Sequence, residues 1–127
     1  MGGKVVHFEI PYDDAERARA FYSSVFGWEP MPLPDMEYTL VTTGPTGEQG
    51  ATEAGFINGG MRKRSEGFGA PNIVIDVADL EQSLEAATAA GGTEVMGRQA
   101  VGEMGFTAYV LDTEGNLVGL WETAPPE

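Results

Sequence analysis

The order of predicted elements occurs twice along this chain, and that doubling restricts the fold more than any other feature. Superimposing the second half on the first places Asn72 over His7 and Asp79 over Asp14. In each half an alternating strand precedes an amphipathic helix, and further strands follow. One helix covers only one face of a four-stranded sheet, so each copy needs a second layer. The sequence therefore predicts an α+β protein whose two tandem βαβββ modules form a curved mixed sheet around a central cleft.

The first predicted strand has one apolar and one polar face. Within residues 5–11, Phe8 and Ile10 share one face, whereas His7 and Glu9 share the other. A strand covered by a helix on one side only has this alternation. We therefore expect His7 and Glu9 to point away from the helix and into the cleft.

The rest of the first module contains a helix and further strands. Asp13 is the predicted N-cap of the helix, with Glu16 three residues later, and Gly27 is its predicted C-terminal stop. Three prolines after Trp28 exclude any continuation of this helix. Further strands are predicted at residues 38–43 and 56–61.

The second module repeats this order after a joint predicted at residues 67–71. Asp79 is the predicted N-cap of its helix, and glycines 91 and 92 end it. The predicted strands of this module are 72–77, 93–96, 106–111 and 117–121. The predicted bounds are thus 4–64 and 71–123 for the two modules, within one domain of residues 1–127.

Composition excludes several classes of function. With 127 residues the chain has the length of one domain, and the lack of cysteine removes disulfides and thiolate chemistry. A net charge of −13 would repel a phosphate backbone, so nucleic acid is not an expected partner. The sequence contains no apolar run long enough to span a membrane and no apolar segment of a secretory signal at its start. We expect a soluble, cytoplasmic protein that binds no membrane.

Four segments resemble the vicinal oxygen chelate superfamily, which includes glyoxalase I, the bleomycin-resistance proteins, extradiol dioxygenases and methylmalonyl-CoA epimerase. They are His-Phe-Glu-Ile-Pro at 7–11, the helix end at 21–28, Asn-Gly-Gly at 58–60, and the stretch 112–122, with Thr113 where the family usually has proline. The resemblance covers nearly the whole chain, and it is strongest to a branch of small glyoxalase-like proteins that begin with His-Phe-Glu-Ile-Pro. It implies the fold described above, a small-molecule ligand in the cleft, and a homodimer.

The resemblance also implies a site for a divalent metal ion, but an incomplete one. Metal-using members take four ligands from the first and last strands of the modules, and the matching positions here hold His7 and Glu122. Asn72 stands where the second histidine is expected, and residues 60–62 contain no carboxylate. Because protein sites of useful affinity normally have three or four ligands, two leave a divalent ion mostly hydrated. Glu9 could supply a missing carboxylate.

Seven residues are candidates for the site, and each also has a structural interpretation. His7 could act as a general base with Glu9 as the carboxylate that orients it, or His7 could be a hydrogen-bonded structural residue. Glu122 is either a third catalytic residue or a solvated strand end. Arg62 begins a run of three basic residues that is either a solvated turn or an anion-attracting rim. The other candidate ligand-binding residues are Asn58, Asn72 and Trp121, of which Asn58 could instead mark a close approach of backbones.

Three functions of different classes remain open. The protein could be an enzyme of lyase, isomerase or dioxygenase type that acts on a carbonyl- or diol-bearing metabolite. It could instead be a metal-free protein that sequesters a small ligand, and its acidic charge would then favour a cationic one. In the third alternative it is an accessory protein with a vestigial cleft, so that alanine at His7 and Glu9 would not destabilise it.

Overall fold

The computed structural model describes residues 2–33 and 35–125, which form two compact units. Residues 7–71 form one unit, called here the N-terminal module. Residues 2–6 and 72–125 form the other, called the C-terminal module. The short segment before His7 belongs to the C-terminal module, where the carbonyl of Lys4 accepts a hydrogen bond from the amide of Asp76 at 2.8 Å.

The N-terminal module consists of one helix, a four-stranded mixed sheet and a small ribbon. Its strands lie in the order β2-β3-β6-β1, with β1 parallel to β6 and the other neighbours antiparallel. A separate two-stranded ribbon, β4-β5, interrupts the loop before β6. The elements are β1 (Val5–Tyr12), α1 (Ala15–Phe26), β2 (Glu29–Leu33), β3 (Tyr38–Thr42), β4 (Thr46–Gly47), β5 (Gly50–Ala51) and β6 (Gly59–Lys63).

The C-terminal module has the same topology. Its strands lie in the order β7-β10-β9-β8, with β10 parallel to β7 and antiparallel to β9, which also pairs antiparallel with β8. Its elements are β7 (Asn72–Asp76), α2 (Leu80–Ala89), β8 (Thr93–Val101), β9 (Gly105–Leu111) and β10 (Leu117–Thr123). The predicted α+β class with two βαβββ modules is confirmed. Within the described residues, no helix has the length and apolar character that crossing a membrane requires.

An aspartate caps the N-terminus of each helix, but the cap of the first lies one residue beyond the predicted position. The side chain of Asp14, not Asp13, accepts the amide of Arg17 at 3.0 Å and caps α1. Asp13 instead forms an ion pair with Arg64, with 3.0 Å between Nε and Oδ1. Asp79 caps α2 as predicted. Two adjacent aspartates offer the same local signal, and only the path of the chain decides which carboxylate reaches the amides.

Strand bounds differ from the prediction where prolines and glycines weaken the local pattern. The proline-rich segment after Trp28 forms β2 at the edge of its sheet, where a missing amide breaks no inner ladder. Strand β6 begins at Gly59 instead of residue 56, and β8 continues to Val101 through a register shift. Such irregularities depend on the partner strand, so the periodicity of one segment does not reveal them.

Each helix packs on one face of its own sheet. In the N-terminal module, Tyr12, Val41 and Met61 form the buried core, with Phe8 and Ile10 packed against it. In the C-terminal module the core is Leu80, Leu84, Ala108, Val110 and Leu120. The face of the N-terminal sheet that α1 does not cover is called here the open face.

Candidate functional site

The open face carries a polar group that three strands bring together. Because side chains alternate along a strand, His7 and Glu9 point away from Phe8 and Ile10, as predicted. Strand β6 places Gly60 beside Glu9, and β3 places Tyr38 beside Arg62. The resulting group, called here the His7 cluster, consists of His7, Glu9, Tyr38 and Arg62.

The first three of these side chains form a hydrogen-bonded chain. The hydroxyl of Tyr38 donates to Oε2 of Glu9 at 2.8 Å, and Nε2 of His7 lies 2.8 Å from the same hydroxyl oxygen. A phenol has one proton to donate. Because a carboxylate can only accept, the hydroxyl proton goes to Glu9, and the proton between the ring and Tyr38 then belongs to Nε2 of His7. The remaining ring nitrogen, Nδ1, then has its lone pair available as an acceptor.

Burial keeps His7 uncharged. It lowers the pKa of the imidazole below its ordinary value of 6.5, and the negative charge of Glu9 opposes this effect without overcoming it. A histidine with a lowered pKa is neutral at pH 7. His7 therefore has the protonation state of a base and not of an acid.

Glu9 is the most buried member of the cluster, with 4% of its surface exposed. Besides Tyr38, its carboxylate faces Arg62, with 4.0 Å between Oε1 and Nη1. The guanidinium of Arg62 lies 3.8 Å from the centre of the Phe68 ring, a cation–π contact that helps to fix its position. Burying a carboxylate without partners would be costly, and here a hydroxyl and a cation compensate for its desolvation.

Tyr38 is the member of the His7 cluster that the sequence did not reveal. It lies 31 positions from His7 along the chain, in a strand whose pattern predicts no special role. The only signal was indirect, namely the glycines at 59 and 60. A side chain at Gly60 would collide with the hydroxyl and ring of Tyr38. The pattern of a single strand cannot show this, because the tyrosine comes from the neighbouring one.

The other predicted site residues have structural contacts of their own. Oε1 of Glu122 accepts the amide of Leu80 at 2.8 Å, so this carboxylate serves the first turn of α2. Asn58 holds the loop before β4 by accepting the amide of Thr43 and donating to the hydroxyl of Thr46. The buried Asn72 donates to the carbonyl of Ile73, and the indole of Trp121 donates to the hydroxyl of Thr123. Their predicted catalytic and ligand-binding roles stay predictions.

The donor atoms do not fit the divalent metal ion that the resemblance implies. Within residues 2–33 and 35–125, no three histidine, aspartate or glutamate side chains are grouped so that they could hold one ion. Nε2 of His7 donates to Tyr38, and Glu9 faces the cation of Arg62. Glu122 belongs to the C-terminal module and supports α2. Among the described residues, a cation at Nδ1 of His7 would therefore lack the further protein ligands that a divalent site of useful affinity needs.

Comparison with known proteins identifies the family. A family model described as bleomycin resistance protein-like N-terminal matches residues 4–44. A glyoxylase-like domain-containing protein of Didymella fabae is 31% identical over 126 residues, which cover 91% of this chain and 91% of that protein. The chain therefore belongs to the glyoxalase, bleomycin resistance protein and dioxygenase superfamily, also called the vicinal oxygen chelate superfamily.

This chain is also similar to part of a longer protein. A Mycobacterium bovis protein named "Putative glyoxylase CFP32" is 29% identical over 121 residues, which cover 90% of this chain. Those residues are 43% of the relative, so the chain spans less than half the length of that protein.

Solved structures confirm the fold. A variant of methylmalonyl-CoA epimerase from Streptomyces coelicolor, in complex with 2-nitronate-propionyl-CoA, has a TM-score of 0.67 at 15% identity. That match covers 100% of this chain and 99% of the other. A superfamily member from Vibrio splendidus has a TM-score of 0.61 at 17% identity, covering 94% of this chain and 98% of the other. At such identities the likeness concerns the fold alone.

Proposed function

We propose that this protein binds a small carbonyl-bearing molecule at the open face and moves a proton on it with His7, without a metal ion. The hydrogen-bonded chain from His7 through Tyr38 to Glu9 is the observation that carries this proposal. A neutral imidazole with one bonded N–H and one available lone pair is suited to general-base catalysis. The substrate would be a molecule with an acidic C–H bond next to its carbonyl group.

Each of the three hydrogen-bonded residues would have a distinct role in this proton transfer. Nδ1 of His7 would accept the proton from carbon, so the ring becomes an imidazolium while the electron pair moves onto the carbonyl oxygen. Tyr38 would accept a stronger hydrogen bond from Nε2, and the charge of Glu9 would stabilise the new positive charge. Returning the proton from Nδ1 to the same face of the carbon restores the neutral ring, whereas inversion would need a second proton donor on the opposite face.

The names of the relatives guide the choice of probes and do not identify the reaction. Structural neighbours include methylmalonyl-CoA epimerases, which share the fold at 15% identity. The sequence relatives are named as glyoxylases or glyoxylase-like proteins. These names motivate the choice of small carbonyl compounds as probes.

Deuterium incorporation tests the proposal before the substrate is known. Small carbonyl compounds, including 2-oxo acids, 2-hydroxy aldehydes and short acyl thioesters, are incubated with the protein in deuterated water. We expect NMR to detect deuterium at the carbon beside the carbonyl group of at least one compound. His7→Gln should reduce that rate about 100-fold or more, the usual range for removal of a general base. Glu48→Gln is the control, because it removes an exposed carboxylate in the N-terminal module outside the cluster.

Some outcomes of this experiment would contradict the proposal. If no compound exchanges, or if His7→Gln exchanges as fast as the unmodified protein, His7 is not the base. Exchange that a chelator abolishes and a divalent ion restores would show that the reaction uses a metal after all.

The second candidate function is sequestration of a cationic small molecule without turnover, and the net charge of −13 favours it. Its signature would be saturable binding that weakens with salt, is unaffected by chelator, and yields no exchanged or altered compound. Homodimerisation, which the resemblance implies, and a cytoplasmic location stay predictions.

A further inference from the structure

We propose that Gly60 and Tyr38 act as a positioning pair: Gly60 leaves the space in which Tyr38 lies, and Tyr38 holds His7 in the Nε2–H tautomer. Nδ1 is thereby the atom that accepts the proton. The role of Nδ1 as the base rests on the proposed function, whereas the effect of Gly60 and Tyr38 on the imidazole does not depend on any substrate.

The pairing of three strands explains why position 60 has no side chain. Strand β6 pairs Gly60 with Glu9 of β1 on one side and with Leu40 of β3 on the other. Tyr38 enters the open face from β3, beside Arg62, and must cross β6 to reach Glu9. It crosses at Gly60, where a Cβ atom would collide with the hydroxyl and the ring of Tyr38. Any larger residue would push the hydroxyl away from both of its partners.

Gly59, the neighbouring glycine, leaves space for an aromatic ring on the opposite face of the sheet. A Cβ atom on Gly59 would lie 2.6 Å from the ring of Phe8, which packs against the core beneath α1. Both glycines are buried, both are in β6, and both make room for an aromatic ring. Only Gly60 faces the His7 cluster. Gly59→Ala is therefore a matched control for Gly60→Ala, because it crowds the core without displacing Tyr38.

The hydroxyl of Tyr38 selects the tautomer because it has a single proton. With that proton donated to Glu9, its oxygen can only accept from His7. Nε2 is then the protonated nitrogen, and Nδ1 is left as the base. Without the hydroxyl, the ring can exchange its tautomers through water, and neither nitrogen is held in the basic state.

His7 is the only histidine of the chain, so its ring can be observed directly by NMR after labelling of histidine with nitrogen-15. At about pH 8, where imidazole is neutral, we expect a visible Nε2–H resonance that exchanges slowly with water, and an Nδ1 shift typical of an unprotonated nitrogen. Tyr38→Phe should abolish the slow exchange and bring the two nitrogen shifts closer together. Gly60→Ala should do the same, whereas Gly59→Ala should retain the spectrum of the unmodified protein.

Coupling between the two residues is tested with a double variant. If Gly60 acts through Tyr38, adding Gly60→Ala to a Tyr38→Ala protein should change the imidazole spectrum and the stability little further. Should Gly60→Ala alone fail to fold, recovery of folding in the double variant would show that the tyrosine ring is what the new methyl group strikes. Gly60→Ala that folds with an unchanged imidazole spectrum would overturn the inference, as would equal loss of the resonance in Gly59→Ala.

Deuterium incorporation separates this inference from the proposed function. We expect Tyr38→Phe and Gly60→Ala to exchange the compound at least about tenfold more slowly than the unmodified protein, with Gly59→Ala close to it. If the NMR results are as expected but the unmodified protein exchanges no compound, the positioning pair is real and the proposed reaction is wrong. If exchange occurs and the imidazole has no protected N–H, His7 acts as the base without Tyr38, and the inference is wrong.

Discussion

The two modules share one topology, but their first strands present different chemistry on the side that faces away from the helix. In β1 these positions hold His7 and Glu9, which bond through Tyr38. In β7 the equivalent positions hold Asn72 and Val74. Val74 is 5% exposed, and the space beside Gly119 is filled by its side chain and the ring of Tyr109. The same scaffold thus holds a cluster with charged side chains in one module, and a buried amide beside apolar packing in the other.

The two helices also differ, and here the C-terminal module has the more buried side chains. Helix α2 buries Leu80 and Leu84, whereas α1 has no buried residue and leaves Phe21 and Val25 more than half exposed. The C-terminal module therefore has the deeper helix–sheet core, and the N-terminal module has the more elaborate polar face. A duplicated unit can divide stability and chemistry in this way, because a residue on one face of a strand does not constrain the other face.

The strongest test of this contrast compares one buried and one exposed position. Leu80→Ala should lower the free energy of unfolding by about 2–5 kcal/mol, because a fully buried leucine leaves a cavity. Val25→Ala on α1 should change it by no more than about 0.5 kcal/mol. Urea unfolding followed by circular dichroism measures both. Equal losses would mean that α1 packs as deeply as α2.

A smaller effect is expected where Glu122 supports the first turn of α2. Its carboxylate accepts the amide of Leu80, so Glu122→Ala should lower the free energy of unfolding by about 1 kcal/mol, as loss of a helix cap does. Deuterium incorporation should be unchanged. A large loss of exchange with intact stability would instead restore Glu122 to the catalytic role that the resemblance implies.

The pH dependence of stability should report on His7. Because burial lowers the pKa of the folded imidazole, the unfolded chain takes up a proton below about pH 6.5 that the folded chain resists. Stability should therefore fall as the pH drops from 6.5 toward the lower folded pKa. His7→Gln should remove this component, measured as the difference between urea midpoints of the two proteins across that range. Parallel profiles would mean that His7 titrates normally in the folded protein.

The smallest effect is expected in the turn of the C-terminal module. Hydrogen bonds from Asn116 and Glu114 lower the pKa of Asp112, so the contribution of this carboxylate should be present above pH 3.8 and be lost as the pH falls below it. Asp112→Asn should remove this contribution, so it should destabilise the protein slightly at pH 7 and flatten the dependence of stability on pH in that acid range. Thermal unfolding between about pH 3 and 5 compares the two proteins, and an unaltered slope would contradict the assignment.

Local pattern predicted the two-module fold and placed two of the four residues of the His7 cluster on one face. The period of two along residues 5–11 placed His7 and Glu9 on one face, and the spacing of small and apolar residues predicted both helices. The same period in β10 puts Glu122 on the side of Leu120, which belongs to the core beneath α2. The expectation of Glu122 in the site came from the resemblance and not from that alternation.

The sequence by itself therefore determined the features that depend on short-range periodicity. These are the two modules, their helices and the face of β1 that bears His7 and Glu9. Only the tertiary structure decided that Tyr38 joins this pair, that Gly60 leaves it room, and that Arg62 faces Glu9. Periodicity acts between residues a few positions apart. A hydrogen bond between side chains of different strands depends on the register of the strands and on the space that a third strand leaves. The sequence of the segment that contains Tyr38 specifies neither of them.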